Sequence, residues 1–194
     1  YLLELVGDKS MTTPQHWTAE RQGRDREDKD EYKLKLNVAF TFSKEVQFIE
    51  HYHNSSWLEH GGSPQKALQK AFLSQIDGYL KNGSKYNKGE KSIKWEDIED
   101  CLVFISNNFS TQASYENQTK KAVTNEFITE AMTEWLKHQL EVYFLENPDE
   151  AVKIGTQVLI NKRSRENADK VRQSTLQKLT GTLDLTNRID KLVD

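Results

Sequence analysis

The sequence predicts an α/β fold: an α+β two-layer sandwich with long C-terminal helices. Three observations predict it. Leu34, Leu36, Val38, Phe40 and Phe42 alternate with polar or small residues, the period of a half-buried strand. Cys101-Leu102-Val103-Phe104-Ile105-Ser106 is an unbroken apolar run, which suits a central strand. Stretches of helical period lie between these two runs and after them.

In chain order, residues 1–6 form a short apolar piece, too isolated to assign. Residues 19–33 are almost continuously charged and contain Gly23, and read as an exposed loop. Strand 34–42 follows. Val46, Phe48 and Tyr52 continue its pattern after a turn at Ser43-Lys44, so an antiparallel hairpin is expected. A polar loop then ends in Gly61-Gly62-Ser63-Pro64. Ser63 suits an N-cap and Pro64 a first helical residue. Ala67, Leu68, Ala71, Phe72, Ile76 and Tyr79 set a helix that ends near Asn82-Gly83. Residues 95–100 are acidic and suit one helical turn before strand 101–106. A long helix carries Val123, Phe127, Ile128, Met132, Trp135, Leu136, Leu140, Tyr143 and Phe144 as its stripe. Asn147 and Pro148 close it and open a second helix over 148–179. Acidic residues begin that helix and basic ones follow, as the helix dipole prefers. Its apolar positions thin out beyond Ile160, as in an exposed connecting arm, and 180–194 reads as a less regular tail.

The 194 residues suit one domain, or one domain with a helical extension. A net charge of -3 argues against non-specific nucleic-acid binding by the whole chain, while leaving local patches free to bind. A single cysteine, Cys101, excludes an intrachain disulfide framework and fits a reducing cytoplasm. No run approaches the roughly 18 apolar residues of a membrane span. The chain starts at Tyr1 and not at Met, and is expected to be part of a larger protein.

The polar stretch Tyr115-Glu116-Asn117-Gln118-Thr119-Lys120-Lys121 precedes the long helix. Such a loop can present several N–H donors and one cation to the same anion, which is the chemistry that holds a terminal phosphate. Otherwise it is a solvated turn. His51, His53 and His60 are close in sequence, but no cysteine or carboxylate set completes a metal site. Gly61 and Gly62 are expected to serve backbone geometry. Lys162, Arg163, Arg165, Lys170 and Arg172 form a basic run that reads as a solvated helix face or as a DNA-facing one.

Several blocks coincide in order: Tyr52-His53-Asn54-Ser55-Ser56, Glu59-His60-Gly61-Gly62-Ser63-Pro64, Glu96-Asp97-Ile98-Glu99-Asp100-Cys101-Leu102, Gln118-Thr119-Lys120 with Asn125, Glu146-Asn147-Pro148, and Asn161-Lys162-Arg163-Ser164-Arg165. Together they resemble the transducer domain of the ATPase subunit of bacterial type IIA DNA topoisomerases, gyrase B and its topoisomerase IV counterpart. The resemblance implies a fold like the second domain of ribosomal protein S5. It divides the chain into a divergent segment with a charged loop (1–31), the transducer sandwich (32–147), and a connecting helix and linker toward a cleavage module (148–194). It also implies that Gln118 and Lys120 touch the γ-phosphate of ATP bound mainly by a neighbouring domain, with Lys120 as the catalytic cation. Mg2+ belongs to the parent protein and is not bound here. The implied partners are the ATPase and cleavage modules of the same chain, a gyrase-A-type subunit, double-stranded DNA, and a second copy of the full-length protein. The family usually has Glu-Gly-Gly-Thr-His where this chain has His60-Gly61-Gly62-Ser63-Pro64, so the glycines survive and the flanking acid and histidine do not.

The sequence carries no Gly-rich nucleotide lid, no Glu-Asn-Asp-type base and no Asp-x-Asp cleavage metal site. The chain alone is therefore not expected to turn over. Two alternatives stay open at this point: a structural or dimerisation module without supercoiling activity, and a stand-alone nucleic-acid binder.

Overall fold

The computed structural model describes residues 1–190. Its centre is a five-stranded mixed sheet in the order β1-β2-β6-β3-β4. The strands are β1 (Gln15–Gly23), β2 (Tyr32–Phe42), β3 (Phe48–His53), β4 (Ser56–Trp57) and β6 (Leu102–Ser110). Two short strands, β5 (Gly61–Gly62) and β7 (Ala122–Val123), pair apart from it. Helices α2 (Ser63–Asn82) and α4 (Glu126–Glu146) cover one face, α3 (Trp95–Glu99) precedes β6, and α5 (Pro148–Asp190) leaves as a single long helix. This is the expected sandwich. No helix among the described residues is long and apolar enough to cross a membrane.

Strand β2 behaves as its alternation dictates. Leu34, Leu36, Val38, Phe40 and Phe42 are all buried, while Lys33 and Lys35 face solvent. Phe40 is the focus of the core. Its ring lies edge-on to Trp17 at 4.7 Å and to Phe72 at 5.5 Å, and stacks on Phe104 at 6.4 Å. Strand β6 takes the central position that its apolar run predicts.

The expected hairpin between β2 and the next strand does not form. β6 lies between them, antiparallel to β2 (Phe40 opposite Phe104) and parallel to β3 (Ile49 opposite Phe104). The Ser43 backbone N–H bonds to the Cys101 carbonyl, and the Ser43 hydroxyl accepts from the N–H groups of Glu45 and Val46. The link therefore turns over the end of β6 and does not fold straight back. The parallel pair is closed by α2, the crossover that such pairing requires. The inward face of β3 also differs from expectation. It presents Ile49, His51 and His53 to the core, while Val46 and Phe48 pack on the opposite face beneath α1 (Leu2–Val6). That helix is the unassigned apolar piece: Leu2 and Val6 bury against Val103.

The charged segment read as a loop is partly strand. β1 pairs with β2 along its whole length, with Trp17 opposite Val38 and Gly23 opposite Tyr32. Only Trp17 and Ala19 turn apolar side chains inward, because an edge strand with one wet face needs no more. Arg24 to Glu31 form the turn. At the other end of the chain, α5 runs on as helix through Asp190, past the expected stop near Leu179. No proline interrupts it there. Residues 191–194 of the expected tail lie outside the described residues.

Candidate nucleotide-contact loop

Residues 114–125 form a closed projection between β6 and α4. Its two sides are tied by Glu116 N–H to the Ala122 carbonyl (3.0 Å) and Thr124 N–H to the Ser114 carbonyl (2.8 Å). Val123, expected to begin the long helix, instead lies in β7, where it pairs with Gly62. Both glycines of β5 have positive φ, 65° and 79°. A Cβ on Gly62 would stand 2.1 Å from the Val123 carbonyl oxygen, so only glycine permits this approach. The helix N-cap is Gly62, not Ser63. The buried Ser63 hydroxyl serves the loop instead, lying 3.0 Å from the Val123 carbonyl oxygen and 2.8 Å from that of Asn125.

At the tip, Asn117 shapes the backbone. Its side-chain oxygen accepts from Thr119 N–H at 3.1 Å, and its carbonyl accepts from Lys120 N–H at 3.2 Å. Lys120 adopts a left-handed φ of 55°, uncommon for a side-chain-bearing residue. Gln118, Thr119 and Lys120 are all exposed. The Lys120 ammonium rests over the Tyr115 ring, 5.5 Å from its centre. Lys121, by contrast, is occupied. It pairs with Glu59, whose carboxyl its hydrogen bond and charge hold below the ordinary value, and its carbonyl accepts from His60 N–H at 2.9 Å. The structure thus brings Gln118 and Lys120 together on one projecting tip. Sequence reasoning missed Asn117 and Glu59. An Asn two residues before a turn is a signal for the first, while nothing local marks the second.

The helix after the loop is capped from a distance. Asn125 makes no side-chain capping bond. The Asp25 carboxylate, from the β1–β2 turn, accepts instead from Phe127 N–H at 3.0 Å.

Beneath the loop lie two buried histidines. His51 Nε2 donates to the Gln65 side-chain oxygen (2.6 Å), which leaves Nδ1 to accept from the Ser106 hydroxyl (2.7 Å). His53 Nε2 meets Ser110 Oγ at 2.8 Å, and its Nδ1 is buried without a partner. Burial lowers both rings to about 4, so they sit neutral in the fold. The unfolded chain binds these protons near 6.5. Stability is therefore complete above that value and falls as pH drops from 6.5 toward 4. The expected slope is up to about 1.4 kcal/mol per pH unit for each ring. Denaturant titrations across this window check it: a flat profile contradicts the neutral, buried assignment. Among the described residues no cluster of His, Cys, Asp and Glu could hold a metal ion.

The basic run of α5 divides. Lys162 is fully enclosed and bonds Glu90 at 2.9 Å and Glu166 at 3.3 Å. Arg163 grips the same Glu90 with two bonds of 3.0 and 3.1 Å. Arg165 holds the buried Asp97 with bonds of 2.7 and 2.9 Å. These three, expected on one open basic face, are first of all anchors that fix the helix to the 87–97 segment. Lys162 presents nothing to solvent. Lys170 and Arg172 lie on open surface, with no ion-pair partner among the described residues.

Comparison with known proteins identifies the family of this chain. The DNA gyrase B family model matches residues 1–174. The chain is 25% identical over 181 residues to the DNA gyrase B protein of Spiroplasma citri, covering 92% of this chain and 27% of that protein. It is 24% identical over 190 residues to the DNA gyrase B protein of Thermotoga maritima, covering 97% of this chain and 29% of that protein. The chain therefore spans under a third of the length of these relatives. Its fold is similar to that of the 43K ATPase domain of Thermus thermophilus gyrase B, solved with an aminocoumarin (TM-score 0.68, 18% identity, 88% of this chain and 43% of that one). It is also similar to the topoisomerase IV ATP binding domain of Francisella tularensis, solved with a small-molecule inhibitor (TM-score 0.62, 20% identity, 75% of this chain and 39% of that one). With nine-tenths of its length matched by the family model, the chain belongs to the DNA gyrase B family.

Proposed function

We propose that this chain is the transducer segment of an ATP-dependent type IIA topoisomerase B-type subunit, coupling ATP binding and hydrolysis to movement of a DNA gate. In this reading Lys120 and Gln118 contact the γ-phosphate of ATP held by a neighbouring ATPase module of the same parent chain. One observation supports it most: an exposed cation and amide share a tip whose base is locked to the scaffold by β5, β7 and Glu59. The donor set fits a phosphate, with one ammonium and one amide. Bound ATP, with Mg2+ held by the ATPase module, supplies the phosphoryl chemistry. This chain supplies a positive charge that gains force when the tip docks into a water-poor site. Departure of the phosphate removes the tip's anchor, so the same contact can report hydrolysis to α5. A gyrase-A-type subunit, double-stranded DNA and a second copy of the full-length protein complete the proposed machine.

The test is ATP turnover by the full-length protein carrying Lys120→Ala, beside Lys121→Ala, which removes the same charge from the loop base. Equal turnover in the wild type and Lys120→Ala ends the reading.

On the arm, Lys170 and Arg172 are the cations proposed to face DNA. Replacing both by Gln in the full-length protein is expected to lower the salt dependence of DNA binding, reducing the slope of log K against log salt by about 2. An unchanged slope places the DNA elsewhere.

A further inference from the structure

The Asp25 carboxylate reaches across a hundred residues of sequence to the end of the candidate loop. One oxygen accepts from the Tyr32 hydroxyl (2.8 Å) and from Phe127 N–H (3.0 Å). The other accepts from Asn125 Nδ2 at 2.7 Å. Asn125 is buried, and its own side-chain oxygen accepts from Ser114 N–H at 2.7 Å, at the start of the loop. The donor order along this chain is forced. Ser114 N–H can only donate, so the oxygen of Asn125 must face it. The amide of Asn125 must then donate, and residue 25 must accept. Space has been made for the contact. A Cβ at Gly23 would lie 2.3 Å from the Phe127 ring, so glycine there lets the β1–β2 turn close over the start of α4.

We propose that Asp25 is a positioning residue for the nucleotide-contact loop: through Asn125 it holds the Ser114 end and so sets where Lys120 lies. This rests on the reading of Lys120 as the phosphate contact. The loop is also held independently, by Thr124 N–H on the Ser114 carbonyl and by β5, β7 and Glu59, so loss of the Asp25 link loosens the tip without releasing it.

Asp25→Asn separates the two jobs of the carboxylate. The remaining oxygen still accepts from Phe127 N–H and caps α4, while the new amide opposes the Asn125 amide. In the full-length protein, Asp25→Asn is expected to lower kcat for ATP roughly 10-fold, with KM changed far less, because a misplaced contact reduces rate before binding. The reciprocal exchange Asp25→Asn with Asn125→Asp restores a donor–acceptor match, with the amide at 25 now donating to a carboxylate at 125 that still accepts from Ser114 N–H, and is expected to restore kcat. In a Lys120→Ala background, Asp25→Asn is expected to cost nothing further. Wild-type kcat in Asp25→Asn, when Lys120→Ala is impaired, overturns the positioning role alone. So does an equal loss in both backgrounds, or a folded double exchange that fails to recover. If Asp25→Asn does not fold, the double exchange decides in the same way. Wild-type turnover in Lys120→Ala removes the underlying reading and this one with it.

Discussion

Lys120→Ala in the full-length protein is expected to lower ATP turnover by roughly 10²–10³-fold, the usual cost of deleting one preorganised contact to developing charge. The fold should not notice. The side chain is exposed and rests over the Tyr115 ring at 5.5 Å, so the thermal midpoint should stay close to that of the wild type. The frame that carries the residue survives the substitution, since Asn117, Gly62 and Glu59 hold backbone and base without it. Lys120→Arg should recover only part of the rate, because a planar fork does not reproduce a compact ammonium. Parallel measurement of strand passage is needed as well. A variant that hydrolyses slowly but keeps the wild-type number of passages per ATP consumed has lost only the chemical step. One that hydrolyses without passage has lost the coupling.

Glu90→Ala is expected to destabilise the chain by about 3 kcal/mol, the range for leaving a buried charge without its main partner. Glu90 gathers Lys162 and Arg163 at once, and also accepts from Asn87 N–H at 2.6 Å. Without it, Lys162 keeps, among the described residues, Glu166 at 3.3 Å and the Tyr86 ring at 5.6 Å. Adding Lys162→Met to Glu90→Ala should recover much of the loss, because an apolar chain of similar length fills the same enclosed space. Denaturant unfolding of both variants decides it: a double variant no more stable than Glu90→Ala excludes the stranded charge as the cause. The Arg163 hydrogen bonds, with help from Lys162, hold the Glu90 carboxyl at about 2, below its ordinary 4.5. Its contribution is therefore complete above pH 4.5 and fades as pH falls from there through about 2. That window lies mostly below the one in which the two histidines act, meeting it between about 4 and 4.5.

What the sequence disclosed followed from local periodicity. Alternation over 34–42, the apolar run that became β6, and the Asn147-Pro148 junction each depend on neighbours along the chain, and all three hold in the structure. What it concealed depends on distant partners. Strand β1 has only Trp17 and Ala19 to announce it, because β2 supplies the other half of its pairing. β3 turns two histidines inward, against every hydropathy pattern, since Ser106 and Gln65 satisfy both nitrogens of His51 and Ser110 meets one of His53 from elsewhere. The loop tip was visible as a polar motif before a helix. Its supports at Glu59 and Asp25 were not, and the cations of α5 were visible as a run without the acids that claim three of them.

The 43 residues of α5 form one rod of about 65 Å. Buried side chains and ion pairs to the body grip it only as far as Arg165, and the described side chains beyond Glu166 are exposed. Such a rod works as an oar held at the rowlock. Over the roughly 36 Å beyond its grip, a swing of about 5° at the gripped end sweeps the far end through about 3 Å. Small angular changes beside the sheet thus become displacements of atomic size at a distance, with no hinge along the way.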